Sequence, residues 1–405
     1  MPTLALLKDC TGCAACYNKC PTDSIKMIAD KRGFLHPVVS SVSCIECKLC
    51  EKVCPILIEY LKSDNYQPQV YAGWHSDKTI RMASSSGGAF SALAEKILDR
   101  GGVIYGAAWD GPRKVCHIRV DSIDDLGKLR KSKYIPSEIS DSLSNVRTDL
   151  RSGREVLFSG TPCQIAGLYA FLGNANSSLL TTIDFICHGV PSPAVYNDYL
   201  DYLEAHSHAR VRNVDFRDKK LGVECNLLFK VVYDNGSQQE YMFGENSFYR
   251  AFVGNTCLRE SCYNCHFNEL PRKADISLAD FRGLGEKSNF YAINERHLGF
   301  TGIIVNTLKG QKLLEVSPNL ICAKRPESEL FNSQPHLRHP AVPSSCKEKF
   351  WCDFRQIPYE ELAERYLGMT LKSRIINGIR VILRPRLYYF MGRLAKKCYK
   401  LILTT

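Results

Sequence analysis

The sequence predicts an α+β unit over residues 1–60, an α/β body behind it and a basic helical tail at the end. Three observations carry this. Two cysteine runs share one spacing. The middle of the chain alternates apolar, strand-like runs with Ser/Gly-rich turns and helices. In the last stretch, bases and aliphatics recur at helical spacing.

The cysteine runs come first. Cys10-Thr11-Gly12-Cys13-Ala14-Ala15-Cys16-Tyr17-Asn18-Lys19-Cys20-Pro21 and Cys44-Ile45-Glu46-Cys47-Lys48-Leu49-Cys50-Glu51-Lys52-Val53-Cys54-Pro55 both read C-x₂-C-x₂-C-x₃-C-P. This is the bacterial two-cluster ferredoxin spacing. The x₂ gaps let three thiolates turn round one face of an iron–sulfur cubane. The fourth cysteine lies on the following helical turn and points at the other cluster. Cys10, Cys13, Cys16 and Cys54 are therefore assigned to one 4Fe–4S cluster, and Cys44, Cys47, Cys50 and Cys20 to a second. Zinc knuckles and disulfides are the competing readings. Zinc takes its ligands as two pairs rather than a triplet plus one, written twice. Between the runs, 25–28 and 34–37 read as short strands joined by a turn at Lys31-Arg32-Gly33, covering the clusters with apolar side chains.

Composition agrees with metal ligation. The chain has 19 cysteines in 405 residues. Its start, Met1-Pro2-Thr3-Leu4, lacks a basic n-region and has too short an apolar run for a signal peptide, so a reduced cytoplasm is the expected compartment. No apolar run reaches the ~18 residues of a membrane span. The formal charge of +11 counts cysteines as neutral, whereas a four-thiolate cluster on an oxidised 4Fe–4S core is a dianion. Residues 368–405 hold nine Lys/Arg and no acid. The basic character belongs to that tail, and no nucleic-acid partner is expected for the body.

Residues 61–69 are polar, contain Pro68 and read as a linker. A strand at 70–74 opens the body. Next comes Ser84-Ser85-Ser86-Gly87-Gly88 and an apolar-periodic helix to Leu98. Ser/Gly residues at a helix start leave backbone N–H groups for an anion such as a dinucleotide pyrophosphate, or form an ordinary capped terminus. A buried strand at 101–109 follows, with 115–120 as its partner. Lys131-Ser132-Lys133-Tyr134 is a basic-aromatic loop. Strands at 155–158 and 182–186 run into Thr161-Pro162-Cys163-Gln164 and Cys187-His188-Gly189. Both cysteines thus lie just beyond strand C-termini, where open α/β sheets place their sites. Residues 211–234 read as two strands with a turn at Asp234-Asn235-Gly236. Cys257, Cys262 and Cys265 come next; C-x₂-C alone is ambiguous between zinc, a redox dithiol and a cluster. The last strands are expected within 272–283 and 299–307, the latter followed by a helix.

In this order the motifs resemble a known family, the beta subunits of coenzyme F420-reducing hydrogenase and F420-dependent formate dehydrogenase. These are FAD and iron–sulfur proteins, with plant 7-hydroxymethyl chlorophyll a reductase as a relative. The resemblance covers roughly residues 70–314, and a ferredoxin unit is often fused in front. It rests on Ser85-Ser86-Gly87-Gly88, Lys131 to Tyr134, Thr161-Pro162-Cys163-Gln164, Cys187, Cys262-Tyr263-Asn264-Cys265, Ala274-Asp275-Ile276-Ser277 and the stretch 299–307.

The resemblance implies an α/β flavin- and cluster-binding body in two parts, 70–145 and 146–335. It implies that Cys163, Cys187, Cys262 and Cys265 hold a third 4Fe–4S cluster, with Cys257 as the competing thiol. It places FAD against Ser85, Ser86, Gly87 and Gly88, with Lys131, Ser132, Lys133 and Tyr134 beside the flavin and Asp280 and Thr301 as further contacts. Lys133 is the candidate catalytic group, its charge stabilising the reduced flavin at the N1–C2=O edge. His188 and His266 adjoin cluster ligands. Cys116, Cys225, Cys322, Cys346, Cys352 and Cys398 read as core or surface thiols.

The function expected is an oxidoreductase. Single electrons from ferredoxin or a similar low-potential donor pass through the clusters to FAD and leave as a hydride equivalent to a small organic acceptor. The rival is an electron-transfer subunit without its own substrate, serving a partner enzyme. A cell-surface polysaccharide setting is a family expectation. In the extension 336–405, Ile375, Ile376, Ile379, Ile382 and Leu383 share a helix face and Pro385 separates two helices. It reads either as a helix pair docked on the body or as an interfacial anchor making peripheral membrane contact.

Overall fold

The computed structural model describes residues 1–58, 66–173, 178–223, 228–242, 244–285 and 290–368. The tail expectation beyond Gly368, Cys225 and Cys398 lie outside the described residues.

The repeated cysteine spacing becomes a repeated backbone. Gly12 and Glu46 stand one residue before the second cysteine of each run, and Ala14 and Lys48 one residue after it. All four have positive φ, at 70°, 53°, 58° and 57°. Three of the four are not glycine, so each run holds a conformation that L-residues resist, at the point where the chain must wrap. The short helices Ala15–Lys19 and Leu49–Lys52 start directly after these turns. Strands β1 (Ile25–Ala29) and β2 (Leu35–Val39) form the expected antiparallel hairpin, Ile25 facing Val39.

The body is built on a nine-stranded mixed sheet. Its strands are β3 (Gln69–His75), β4 (Val103–Trp109), β5 (Val115–Val120), β6 (Ser137–Glu138), β7 (Val156–Ser159), β8 (Leu180–Phe185) and, later in the chain, β12 (Ile276–Asp280), β13 (Thr301–Val305) and β14 (Leu320–Lys324). The spatial order is β14-β3-β13-β12-β8-β7-β4-β5-β6. The central strands β12, β8, β7 and β4 are parallel, and β13, β3 and β14 join antiparallel on one side. Parallel strands are covered on both faces and so read as unbroken apolar runs. In β7, Val156 and Phe158 pack towards the helices Ser142–Arg151 and Pro162–Leu172, and Leu157 packs towards Ala89–Asp99 and Leu308–Val316.

Between β8 and β12 the chain makes a second, antiparallel sheet of β9 (Val211–Asp218), β10 (Leu228–Tyr233) and β11 (Gln238–Tyr241). The Asp234-Asn235-Gly236 turn therefore joins β10 to a third strand that the sequence did not announce. Its residues Gln238, Gln239 and Glu240 are exposed and carry no apolar alternation. This sheet packs with the helices Pro193–Ser207 and Ser247–Val253 around Tyr196, Tyr199, Phe216, Phe229 and Phe248. Among the described residues, no helix is long and apolar enough to cross a membrane.

Candidate cluster and flavin sites

The first cysteine set lines one small cavity. Cys10, Cys13, Cys16 and Cys54 face it together, and Leu4, Met27, Pro37 and Ile56 close it with apolar atoms. Burial pushes the Cys13 thiol up to about 12, and the neighbouring Cys10, Cys163 and Cys54 sulfurs add to the push. Four soft donors crowded into an apolar cup suit a cation-rich cluster and suit free thiols poorly. Of the second set, Cys47 lies against Cys50 and is exposed. Cys20 resists burial's upward push through its hydrogen bonds, and its thiol ends below the ordinary value; the Ser24 N–H donates to its Sγ at 3.3 Å.

A second cup gathers four cysteines from three distant segments. Cys163 sits in the first turn of Pro162–Leu172, a helix begun by proline and by reciprocal capping between Thr161 and Gln164. Cys187 follows the end of the neighbouring strand β8, and Cys262 and Cys265 close the set from a loop. Burial pushes Cys187 far up, with Cys262, Cys163 and Cys265 adding to it. Burial likewise pushes Cys262 up to about 12 and Cys265 to about 11, and both feel the Cys163 sulfur. The Val190 N–H donates to Cys262 Sγ at 3.4 Å and the Phe267 N–H to Cys265 Sγ at 3.4 Å. Such N–H···S bonds stabilise the negative charge on the sulfurs of a cluster. Cys257 is not part of this cup. It is fully buried in the aromatic core and its backbone N–H neighbour is Ser192. Among the described residues, no three His, Cys, Asp or Glu side chains close round a single-ion position.

The two cups touch. A Cβ on Gly167 would meet Cys13 Cβ at 2.8 Å and Cys13 Sγ at 2.9 Å. The helix that carries Cys163 is thus pressed on the first cysteine set through a glycine.

The Ser/Gly turn, the basic loop and the ends of β12 and β13 form one polar cluster. The Ser132 N–H donates to Ser85 Oγ at 2.7 Å, and the two hydroxyls are 3.0 Å apart. Ser86 Oγ donates to Phe300 O at 2.6 Å, and the Gly87 N–H donates to Thr301 Oγ1 at 2.9 Å. Asp280 faces Thr301 across the sheet and takes a hydrogen bond from Arg217 Nη2 at 2.8 Å. Arg217 Nη1 also donates to Tyr134 OH at 3.2 Å. Both serine hydroxyls are committed to protein partners, so the anion donors left are main-chain N–H groups. Gly88, at φ 89°, opens the helix Ala89–Asp99 with no side-chain cap, leaving its first-turn N–H groups to a ligand.

Lys131 and Lys133 both have partners within the protein. Lys131 Nζ is paired with Asp215, and Lys133 Nζ donates to Arg130 O at 2.8 Å and Lys131 O at 3.2 Å. Burial brings Lys133 down to about 7 against the opposing charge of Asp215. Sequence reasoning missed Arg217 and Lys219. Arg217 Nε is buried and has no hydrogen-bond partner among the described residues, which suits an anion or an aromatic carbonyl edge. His188 stacks edge-on against His336, ring centroids 4.4 Å apart, while His266 lies 6.4 Å from the Phe267 ring.

The two sites share the C-terminal ends of two neighbouring central strands. β8 and β12 run parallel with Phe185 opposite Leu278, so Cys187 and Asp280 both stand two residues beyond the same pair.

Residues 70–144 match the N-terminal part of the coenzyme F420 hydrogenase/dehydrogenase beta subunit, and residues 153–328 match its C terminus. Together they cover more than half of the chain. The chain belongs to the coenzyme F420 hydrogenase/dehydrogenase beta subunit family. Residues 9–58 of this beta-subunit homologue match a 4Fe-4S dicluster domain. A chain of the F420-reducing [NiFe] hydrogenase complex from Methanosarcina barkeri is 17% identical, with a TM-score of 0.44 over 78% of this chain and 95% of that one. A search of curated proteins finds no match. The family matches make this beta-subunit homologue an iron–sulfur electron-transfer protein of the F420 hydrogenase/dehydrogenase type.

Proposed function

We propose that the protein is a flavin- and iron–sulfur-dependent oxidoreductase with three 4Fe–4S clusters and one FAD. The clusters would supply one-electron transfer and FAD the change between one-electron and two-electron chemistry, from a ferredoxin-like donor to a small organic acceptor. The contact of Gly167 with Cys13 carries the reading, because it sets the N-terminal unit directly against the cup of Cys163, Cys187, Cys262 and Cys265. Cys47, exposed on the far set, marks the side where a donor meets the chain. The first-turn N–H groups of Ala89–Asp99, opened by Gly88, would hold the pyrophosphate, and Arg217, Tyr134 and Asp280 would face the flavin with Lys133 at its N1–C2=O edge. The N-terminal unit, 1–60, and the body segments 70–145 and 146–335 are taken as the domains.

The test is anaerobic reconstitution with iron, sulfide and flavin counts. About twelve iron and one FAD per chain are expected. Cys163→Ser should lose about four iron and keep the N-terminal pair. Cys257→Ser should keep all twelve. Eight iron in the wild type would remove the third cluster, and no flavin would reduce the protein to a relay. A second reading, a subunit that serves a partner enzyme, draws on the family's own designation as a beta subunit. Reduction of small acceptors by the purified chain favours the first reading, and turnover only with a second polypeptide favours the second.

A further inference from the structure

Arg259 belongs to the loop that delivers Cys262, yet its side chain leaves that loop for the N-terminal unit. Nε donates to Cys10 O at 2.8 Å, and Nη2 donates to Leu35 O at 2.6 Å and lies 3.4 Å from His36 Nδ1. The guanidinium stands 5.2 Å from the centre of the Phe34 ring. Gly12 makes room for it, since a Cβ there would meet Nη1 at 2.8 Å. The Arg259 main chain stays with the other cup. Its N–H donates to Val190 O at 2.8 Å, and its carbonyl accepts the Cys262 N–H at 2.9 Å.

The charge is buried, with 4% of the residue exposed. Its hydrogen-bond partners among the described residues are two carbonyls and an imidazole, with no carboxylate. Arg272, also buried, has Asp184 at 2.8 Å. A guanidinium is not left inside a protein without an anion. Two dianionic clusters, one in each cup, would supply it.

We propose that Arg259 is a fixed counter-charge between the first N-terminal cluster and the third, a positioning residue that raises the reduction potential of both. The proposal rests on the ligand sets above. Adding an electron makes a cluster more negative, so a nearby cation favours the reduced form, and burial strengthens the effect. One electron leaving the first cluster and reducing the third then moves between two stations raised by the same charge.

The experiment compares the reconstituted full chain with Arg259→Met and Arg259→Lys in potentiometric titrations followed by electron paramagnetic resonance. The N-terminal pair is read in a Cys163→Ser background and the third cluster by difference. Iron is counted first. Fewer than about twelve iron in the wild type would sink the ligand reading itself. With the clusters present, Arg259→Met should lower the reduced-to-oxidised ratio of the first and third clusters about tenfold at the wild-type midpoints, about 59 mV for one electron. The second cluster should not move, and Arg259→Lys should restore most of the shift. If the methionine variant loses its clusters, Arg259→Gln, which keeps a donor for the Cys10 carbonyl, is read in its place. First and third potentials unchanged in the neutral variant, or all three shifting together, would overturn the proposal.

Discussion

Lys219 is 2% exposed, and its ammonium donates to Arg81 O at 2.5 Å, Ser86 O at 2.6 Å and Leu298 O at 3.0 Å. It holds the Ser/Gly turn from behind. Burial brings it down to about 7 from its ordinary 10.5, the charges of Arg217 and Arg81 adding and Asp280 opposing. Between these two values the unfolded chain binds a proton that the folded chain does not. Stability from this group therefore rises with pH from about 7 to about 10.5 and is least below 7. Lys219→Met has no such proton, so the wild-type midpoint in anaerobic urea unfolding should gain on the variant as pH rises through that window. Parallel pH curves would show that Lys219 does not titrate there. Nothing in the sequence marked it. Residues 211–234 read only as two strands, and nothing set Arg217 or Lys219 apart; both are buried, at and just beyond the end of β9, while Lys220 is exposed. The eight N-terminal cysteines were legible because their spacing is local, whereas Cys163, Cys187, Cys262 and Cys265 were grouped only by the resemblance. Choosing between Cys257 and Cys262 was not possible from spacing alone, since it depends on which thiol the aromatic core covers.

At the scale of elements, the helix Pro162–Leu172 carries the Cys163 thiol at one end and the Gly167 contact in its middle. Replacing a helical glycine by alanine ordinarily stabilises by roughly 0.5–1 kcal/mol. Here the new Cβ meets Cys13, and overpacking costs about 1–3 kcal/mol. Gly167→Ala should therefore lose stability in anaerobic denaturation, and reduction of the third cluster through the N-terminal unit should slow in stopped-flow experiments. A stabilised variant with an unchanged rate would show that this packing does not couple the cups. The strand, turn and helix around Thr161-Pro162-Cys163-Gln164 were readable from the order of apolar runs. What its far side touches was not, because the partner lies in the N-terminal unit. The same holds for β11, which pairs through its backbone and carries no apolar signal.

Across the whole molecule, the N-terminal unit is clasped at two ends. Its hairpin turn lies on the body through Ser192 Oγ, which donates to Arg32 O at 2.6 Å, and through Glu260, which pairs with Arg32 at 3.2 Å and Lys347 at 2.7 Å. The other end is held by Asn18, which donates to Ser140 O at 2.8 Å and accepts the Ser144 N–H at 3.1 Å. Asn18→Leu combined with Arg32→Ala should raise hydrogen exchange together in Ala15–Lys19 and Pro162–Leu172. Protection unchanged in both would mean that the Asn18 and Arg32 side chains are not what holds the unit. A ferredoxin unit ahead of an α/β body was legible, but the clasp was not, since each of its pairs joins residues far apart in the chain. That separation also orders biosynthesis. The eight cysteines of the N-terminal unit emerge from the ribosome before Cys163, and an N-terminal unit folds first during synthesis. On the growing chain the Cys13 side of the first cluster faces solvent until the helix Pro162–Leu172 is made, and Arg259 arrives later still. A cluster inserted on the growing chain before that point would therefore lack this cover.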